Sequence, residues 1–209
     1  MPSAVSTPVA DATRKKGPKS AKIVIAGGFG VGKTTLVGTL SEIPPLTTEA
    51  AMTTASLGID DTSKVSTKTT TTVAMDFGRI TIDDDLILYL FGTPGQDRFG
   101  FMWDDLVVGA LGAVVLVDLR RIDDCFPAID FFESRNVPFT VAINRFDDEQ
   151  ANIAEVREAL DLDESHPIVL CDARYKESVK GVVLSLLELL IVEFKKRSSR
   201  PSEGRRSFR

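Results

Sequence analysis

The sequence predicts an α/β fold built on a doubly wound, mostly parallel sheet of six strands. Two observations lead to this prediction. Short apolar runs alternate with stretches of helical periodicity, which is typical of a doubly wound sheet. The later runs are apolar throughout, as in strands that are buried on both faces of a parallel sheet. The predicted strands are residues 22–27, 70–79, 86–91, 113–117, 139–143 and 168–170.

Helical patterns fill most of the intervals between these strands. The first begins at Lys33 and ends near Glu42, because a pair of prolines follows it. The last has a broad apolar face that indicates packing against the sheet. The other helices are predicted near residues 123–135 and 152–161, the last covers about 175–197, and a hairpin turn is predicted at 83–85.

The composition indicates one soluble domain with basic ends. The chain has 209 residues, of which 43% are hydrophobic, and a net charge of −5. Residues 1–20 carry +3 and residues 195–209 carry +6, which leaves −14 on the body. We therefore predict a disordered basic tail over 1–20, one domain over 21–195 and a basic C-terminal tail over 196–209. The acidic body argues against nucleic acid as a partner, whereas the tails could contact anionic lipid or simply be solvated.

The few cysteine and histidine residues exclude several kinds of chemistry. Two cysteines and one histidine give neither a disulfide framework nor the ligand spacing of a zinc site. No N-terminal segment has the apolar core of a secretory signal. These features favour a cytoplasmic protein, with membrane association through its tails or its partners as an alternative.

A glycine-rich loop follows the first predicted strand and precedes the first predicted helix. It fits the pattern G-x-x-x-x-G-K-[ST], in which backbone N–H groups form an anion cradle and the lysine pairs with the β- and γ-phosphates. The threonine hydroxyl would be a ligand of Mg²⁺, and the helix N-terminus adds positive potential. The predicted phosphate-binding residues are Gly28, Phe29, Gly30, Val31, Gly32, Lys33, Thr34 and Thr35.

The residues after the fifth predicted strand indicate which base is bound. Asn144, Arg145, Phe146 and Asp147 resemble the N-K-x-D guanine motif of the Ras-like GTPases. A carboxylate at Asp147 can accept hydrogen bonds from N1–H and the 2-amino group of guanine, and adenine offers neither pairing. The resemblance implies that Asn144 ties this loop to the phosphate loop and that the Arg145 stem covers the base face.

The turn after the sixth predicted strand resembles the second guanine-binding element of the same family. Residues 171–174 stand where these GTPases have S-A-K. The resemblance implies that the N–H of Ala173 faces the guanine oxygen and that Arg174 lies at the nucleotide. A plain strand-to-helix turn is the alternative.

The segment after the third predicted strand resembles the start of switch II. The resemblance implies that Gly95 donates its N–H to the γ-phosphate and that Gln96 orients the attacking water, so Gln96 and Lys33 are the predicted catalytic residues. Gly92 stands where the family has the aspartate that holds Mg²⁺. This departure puts the metal site in question.

A threonine of switch I should complete the metal site. Residues 72–77 resemble the T-I-G-V-D-F run of Rab-type proteins, which nominates Thr72 as a ligand of Mg²⁺. Three more threonines precede it directly, so the register stays open. A run of β-branched residues is also simply a good strand.

The resemblance covers residues 21 to about 195 and implies a P-loop NTPase of the Ras-like G-domain type. Its narrower likeness is to bacterial MglA-like and conservon-type GTP-binding proteins. That likeness implies two partners, a roadblock-type small protein and a sensor-kinase-like protein.

We expect a molecular switch that binds GTP or GDP with Mg²⁺ and hydrolyses GTP slowly until a partner accelerates it. It would regulate a bacterial signalling complex. Phe29 and Gly92 both argue for slow turnover. A nucleotide-binding scaffold without useful hydrolysis is the alternative, and an ATPase or small-molecule kinase with the same loop is a third.

Overall fold

The computed structural model describes residues 18–44, 75–83, 85–95, 97–146 and 151–199, apart from the side chains of residues 97–99. The strands are β1 (Lys19–Ala26), β2 (Asp76–Asp83), β3 (Leu86–Gly92), β4 (Gly112–Val117), β5 (Phe139–Asn144) and β6 (Ile168–Cys171). The α-helices are α1 (Lys33–Leu40), α2 (Trp103–Val107), α3 (Phe126–Ser134), α4 (Ile153–Ala159) and α5 (Lys176–Ser199). Two 3-10 helices cover Asp97–Met102 and Leu119–Cys125.

The six strands form one sheet in the order β2-β3-β1-β4-β5-β6. β2 runs antiparallel to β3, and every other pair of neighbours is parallel. β4 and β5 are buried along their whole length, because α1 and α5 pack on one face of the sheet and α3 and α4 on the other. The arrangement confirms the predicted doubly wound α/β fold.

The strand order reverses at β1. The chain moves to one side of β1 through α1 and β2, and it crosses to the other side after β3. In open α/β sheets, ligands bind outside the carboxyl ends of the strands at such a point. The topology therefore directs attention to the loop that joins β1 to α1.

Several predicted boundaries shift. β1 begins at Lys19, inside the predicted tail, because the Lys19 N–H donates to the Asp85 carbonyl oxygen at 2.6 Å. α1 ends at Leu40 because Ser41 takes an extended conformation. β2 starts at Asp76 and runs to Asp83, later than the predicted 70–79, and residues 70–74 lie outside the described part of the chain.

α5 is a helix of 24 residues that covers one face of the sheet. It buries Val179, Val182, Val183 and Leu186 in the core shared with α1. It extends to Ser199, beyond the predicted domain boundary at 195. No helix in the described part of the chain is long and apolar enough to cross a membrane.

Candidate functional site

The loop between β1 and α1, which we call the phosphate loop (residues 27–34), has a backbone that only glycine adopts easily. Gly27, Gly30 and Gly32 have φ values of 137°, 74° and 105°, a region that side chains disfavour. A Cβ at Gly32 would also lie 2.5 Å from the Asn144 Nδ2 atom. The glycines of the motif are therefore required both by the backbone and by close packing.

Lys33 begins α1 and turns back over the phosphate loop. Its side chain is 7% exposed, and its Nζ atom donates to the carbonyl oxygens of Gly27 and Gly28, both at 2.7 Å. Burial lowers the pKa of Lys33 to about 8, although the negative charge of Asp76 opposes the shift. The ammonium group is thus held inside the loop, where a phosphate would meet it.

The next residue, Thr34, lies beside an acidic group that the sequence analysis did not select. The Thr34 hydroxyl donates to Asp76 Oδ2 at 2.8 Å. Asp76 is the first residue of β2 and pairs across the sheet with Gly92 of β3. A hydroxyl and a carboxylate are hard oxygen donors of the kind that Mg²⁺ prefers, so these two residues fit the predicted metal.

Asn144 joins three loops at the carboxyl ends of the strands. It is 7% exposed, its Nδ2 donates to the Val31 carbonyl oxygen at 2.8 Å, and its Oδ1 accepts from the Ala173 N–H at 3.0 Å. The phosphate loop, the loop after β5 and the loop after β6 are therefore connected through one buried side chain.

This contact changes the expectation for Ala173. The resemblance implied that its N–H faces the guanine oxygen, but in this structure the N–H donates to Asn144. The reason is that Ala173 is buried directly beside Asn144, the tie between the loops. A base could use this N–H only by sharing it.

The two arginines predicted at the base site are at the surface. The backbone N–H of Arg145 donates to the Cys171 carbonyl oxygen at 2.7 Å, and its side chain is exposed. The guanidinium of Arg174 binds both carboxylate oxygens of Asp172, at 2.9 and 2.7 Å, and this hydrogen bonding lowers the pKa of Asp172. Arg174 is thereby held beside its own loop.

Gly95 approaches the phosphate loop closely. A Cβ at Gly95 would lie 2.6 Å from Lys33 Nζ and 3.0 Å from the Phe29 Cα. The residue predicted to contact the γ-phosphate therefore packs directly over the loop. Thr35 lies in the first turn of α1 with an exposed side chain, whereas Thr72, Gln96 and Asp147 lie outside the described residues.

Arg121 is a second residue that sequence reasoning missed. Its Nη2 donates to the Phe29 carbonyl oxygen at 2.6 Å, and it also forms ion pairs with Asp118 and Asp124. Phe29 itself is 64% exposed. Arg121 follows β4, so only the fold brings it to the phosphate loop. The available signal was its place just after the carboxyl end of a predicted strand.

A comparison with protein families agrees with this geometry. A family model described as conserved hypothetical ATP binding protein matches residues 25–193, nearly the whole described domain. The chain belongs to this family. Its members are P-loop nucleotide-binding proteins, and the matched range includes the loop, Asp76 and Asn144.

One curated relative and two solved structures extend the comparison. An uncharacterized protein of Methanocaldococcus jannaschii is 34% identical over 137 residues, which are 65% of this chain and 76% of that protein. The FeoB G-domain from Methanococcus jannaschii has a TM-score of 0.53 at 13% identity and covers 83% of this chain and 99% of its own. The cytosolic domain of the T. maritima FeoB iron transporter in GDP form has a TM-score of 0.59 at 16% identity, over 84% of this chain and 65% of that one.

These comparisons agree on the fold and on nucleotide binding. At such low identities the two structures show the fold alone, which is that of a P-loop NTPase of the G-domain type. The family description and the fold both indicate nucleotide binding. The narrower resemblance to MglA-like and conservon-type proteins stays a prediction.

Proposed function

We propose that the chain is a GTP-binding molecular switch that hydrolyses GTP slowly to GDP in the presence of Mg²⁺. The observation that carries the proposal is the pair of hydrogen bonds made by Asn144 to Val31 and Ala173. They fasten the loop after β5, which holds the N-R-F-D segment, to the phosphate loop. A guanine motif needs this connection because base and phosphates belong to one ligand.

The phosphate groups would be bound mainly by the backbone and by Lys33. The loop amides provide partial positive charge, and α1 begins directly at Lys33 and adds its N-terminal potential. Local binding of this kind is needed because the body of the chain is acidic. Lys33 would exchange its hydrogen bonds to loop carbonyl oxygens for bonds to phosphate oxygens.

Hydrolysis would depend on positioning and neutralisation of charge. When bound, Mg²⁺ would neutralise charge on the β- and γ-phosphates, and the Thr34 hydroxyl would be one of its ligands. We propose that Gln96 orients the attacking water. Phe29 is 64% exposed on the loop, and we propose that its ring would narrow the approach to the phosphates, so that turnover is slow without an activating partner.

The contact between Gly95 and the phosphate loop supports a switch. Gly95 lies so close to Lys33 and Phe29 that a third phosphate bound there would contact the segment that follows β3. A ligand changes an equilibrium between conformations only by as much as it binds them differently. GTP and GDP would differ at this residue. The roadblock-type and sensor-kinase-like partners remain a prediction from the resemblance.

The family description favours a second candidate, a protein that binds ATP. Calorimetric titration of nucleotide-free protein with GTP, GDP, ATP and ADP separates the two. We expect GTP and GDP to bind at least about 100-fold more tightly than ATP and ADP, because a site built on hydrogen bonds rejects the ligand that lacks them.

The variant Asp147→Ala completes this test, with Asp148→Ala as the matched control. We expect only Asp147→Ala to lower the affinity for GDP. Tight ATP binding that survives Asp147→Ala would replace the GTP proposal by the ATP candidate.

The rate of GTP hydrolysis distinguishes the proposed switch from a nucleotide-binding scaffold that does not hydrolyse GTP. A single-turnover assay with bound GTP should show slow release of phosphate that falls further, about tenfold or more, in Gln96→Ala. If phosphate release is absent from the wild-type chain, alone and with its partners, the chain binds nucleotide as a scaffold.

A further inference from the structure

The resemblance to Ras-like GTPases implies a magnesium-binding aspartate at position 92, and the neighbouring strand holds a carboxylate at the paired position. Gly92 ends β3 and has no side chain to offer a metal. Asp76 begins β2 and is the cross-strand partner of Gly92. Its carboxylate accepts the hydrogen bond from Thr34, the predicted magnesium ligand of the phosphate loop.

The distances show that residues 76 and 92 compete for one space. A Cβ built on Gly92 would lie 2.9 Å from the Asp76 Cβ and 2.9 Å from its Oδ2. An aspartate at position 92 would therefore collide with Asp76 as it stands. Glycine at 92 leaves the room that the Asp76 side chain uses.

The surroundings of Asp76 favour a ligand role over a purely structural one. Asp76 is half-buried, and Thr34 is exposed at the mouth of the loop, so the pair faces the place where phosphates would bind. The charge of Asp76 also acts on Lys33, which places it within the electrostatic field of the loop. Among the described residues, no group of three or more His, Cys, Asp and Glu side chains could hold a metal unaided. A metal here would need further ligands, such as waters and the phosphate oxygens of a nucleotide.

We propose that Asp76 supplies the carboxylate of the magnesium site, in place of the carboxylate that an aspartate at position 92 would provide. Asp76 and the Thr34 hydroxyl then hold the ion against the nucleotide. This inference rests on the proposed nucleotide binding. It adds Asp76 of β2 to the predicted ligands of Mg²⁺, so the metal would connect the phosphate loop to the start of β2.

The first test measures how strongly Mg²⁺ increases the affinity for GDP. Wild type, Asp76→Asn and Asp83→Asn are titrated with GDP by calorimetry, in Mg²⁺ and in EDTA. Asp83 lies at the other end of the same strand and is the matched control. We expect Asp76→Asn to lose about tenfold or more of the enhancement by Mg²⁺ and to keep the affinity in EDTA. Asp83→Asn should behave as wild type.

A second readout observes the metal directly. The electron paramagnetic resonance spectrum of Mn²⁺ in the GDP complex should change in Asp76→Asn and not in Asp83→Asn. If Asp76→Asn keeps the full enhancement and an unchanged Mn²⁺ spectrum, Asp76 is not at the metal and the inference is wrong. If wild type binds no nucleotide in either buffer, the proposed function fails instead.

A relocation experiment tests the shared space. Asp76→Gly should lose the enhancement by Mg²⁺, and the double variant Asp76→Gly with Gly92→Asp should recover most of it, since the carboxylate returns from the neighbouring strand. A double variant that binds GDP in EDTA as wild type does and yet stays insensitive to Mg²⁺ would contradict the idea that one carboxylate site is shared.

Discussion

The side-chain amide of Asn144 donates to the carbonyl oxygen of Val31 at 2.8 Å, and this contact joins the end of β5 to the phosphate loop. Val31 belongs to the phosphate loop, and Asn144 ends β5. The same side chain accepts from Ala173 after β6. The loops after β1, β5 and β6 are thus fastened together, so the proposed base site and the proposed phosphate site would form a single unit.

Replacing Asn144 by alanine should weaken both folding and nucleotide binding. The change leaves a buried acceptor and a buried donor without partners, which costs about 2 kcal/mol of the free energy of unfolding. Urea denaturation measures this loss, and calorimetry with GDP should show at least about tenfold weaker binding. The control is Asn152→Ala, which removes the cap of α4. It should cost about 1 kcal/mol and leave the affinity for GDP unchanged. Equal affinities in both variants would mean that the connection between the loops is not needed for binding.

Glycine at position 32 should be irreplaceable. Gly32→Ala forces a side chain into a left-handed backbone and against Asn144 Nδ2, which we expect to cost about 2 kcal/mol or more. Gly181→Ala is the matched control, since nothing lies within 4 Å of the added methyl group on α5. It should stabilise the protein by about 0.5 to 1 kcal/mol. Thermal melts of both variants give the comparison, and a Gly32→Ala variant as stable as wild type would show that the loop backbone is different.

Nucleotide affinity should fall as the pH rises through the pKa of Lys33. Burial lowers this pKa to about 8 in the folded chain, and the ammonium form is the one that pairs with phosphate. GDP affinity is therefore expected to be constant near pH 7 and to fall by up to about tenfold per pH unit above about pH 8. A Lys33→Met variant should bind weakly and without this dependence. The same slope in wild type and variant would assign the titration to another group.

The lowered pKa of Lys33 has the opposite effect on the free energy of unfolding, which should increase with pH. The unfolded chain keeps an ordinary lysine pKa, so above about pH 8 it binds more protons than the folded chain does. The free energy of unfolding contributed by Lys33 therefore rises with pH from about 8 up to the unfolded value. Urea denaturation of wild type and Lys33→Met across this range measures the difference. A difference that falls as the pH rises would contradict the assignment.

Arg121 should slow the release of nucleotide. Its hydrogen bond to the Phe29 carbonyl oxygen restrains the phosphate loop, and hydrogen bonds from charged groups contribute about 1.5 to 3 kcal/mol. Because Arg121 is half exposed, we expect the hydrogen bond to contribute only part of this free energy. GDP should therefore dissociate about three- to tenfold faster from Arg121→Ala. A fluorescent GDP analogue measures the rate. Arg135→Ala removes an ion pair to Asp104 at a distant surface and should leave the rate unchanged.

The strands that were easiest to predict are the ones buried on both faces. β4 and β5 are continuous apolar runs, and their predicted bounds differ from the observed ones by one residue at one end. The second strand was predicted over 70–79 on the strand propensity of its threonine run, whereas β2 covers Asp76–Asp83 and residues 70–74 lie outside the described part of the chain. Propensity alone does not show where hydrogen-bonded pairing with β3 begins.

The position of Asp76 opposite Gly92 shows why part of the site could not be read from the sequence. The two residues are paired because the register shifts between Thr81 and Asp83 near the hairpin. Without this shift, Asp76 would be displaced by one residue and its side chain would leave the face of Thr34. Arg121 is similar, because it meets Phe29 only through the packing of the chain after β4. Motifs with fixed local spacing were predictable, whereas contacts set by strand register and packing needed the fold.

Adding a methyl group at Gly95 should weaken GTP binding more than GDP binding. The Cβ of Gly95→Ala would lie 2.6 Å from Lys33 Nζ, so the residue has to move away from the loop that it contacts. The γ-phosphate is the group expected next to Gly95, and GDP lacks it. We therefore expect about tenfold or more loss for a non-hydrolysable GTP analogue and about threefold or less for GDP, both measured by calorimetry. Gly100→Ala, which meets nothing within 4 Å, is the matched control. Equal losses for the two nucleotides would remove Gly95 from the recognition of the third phosphate.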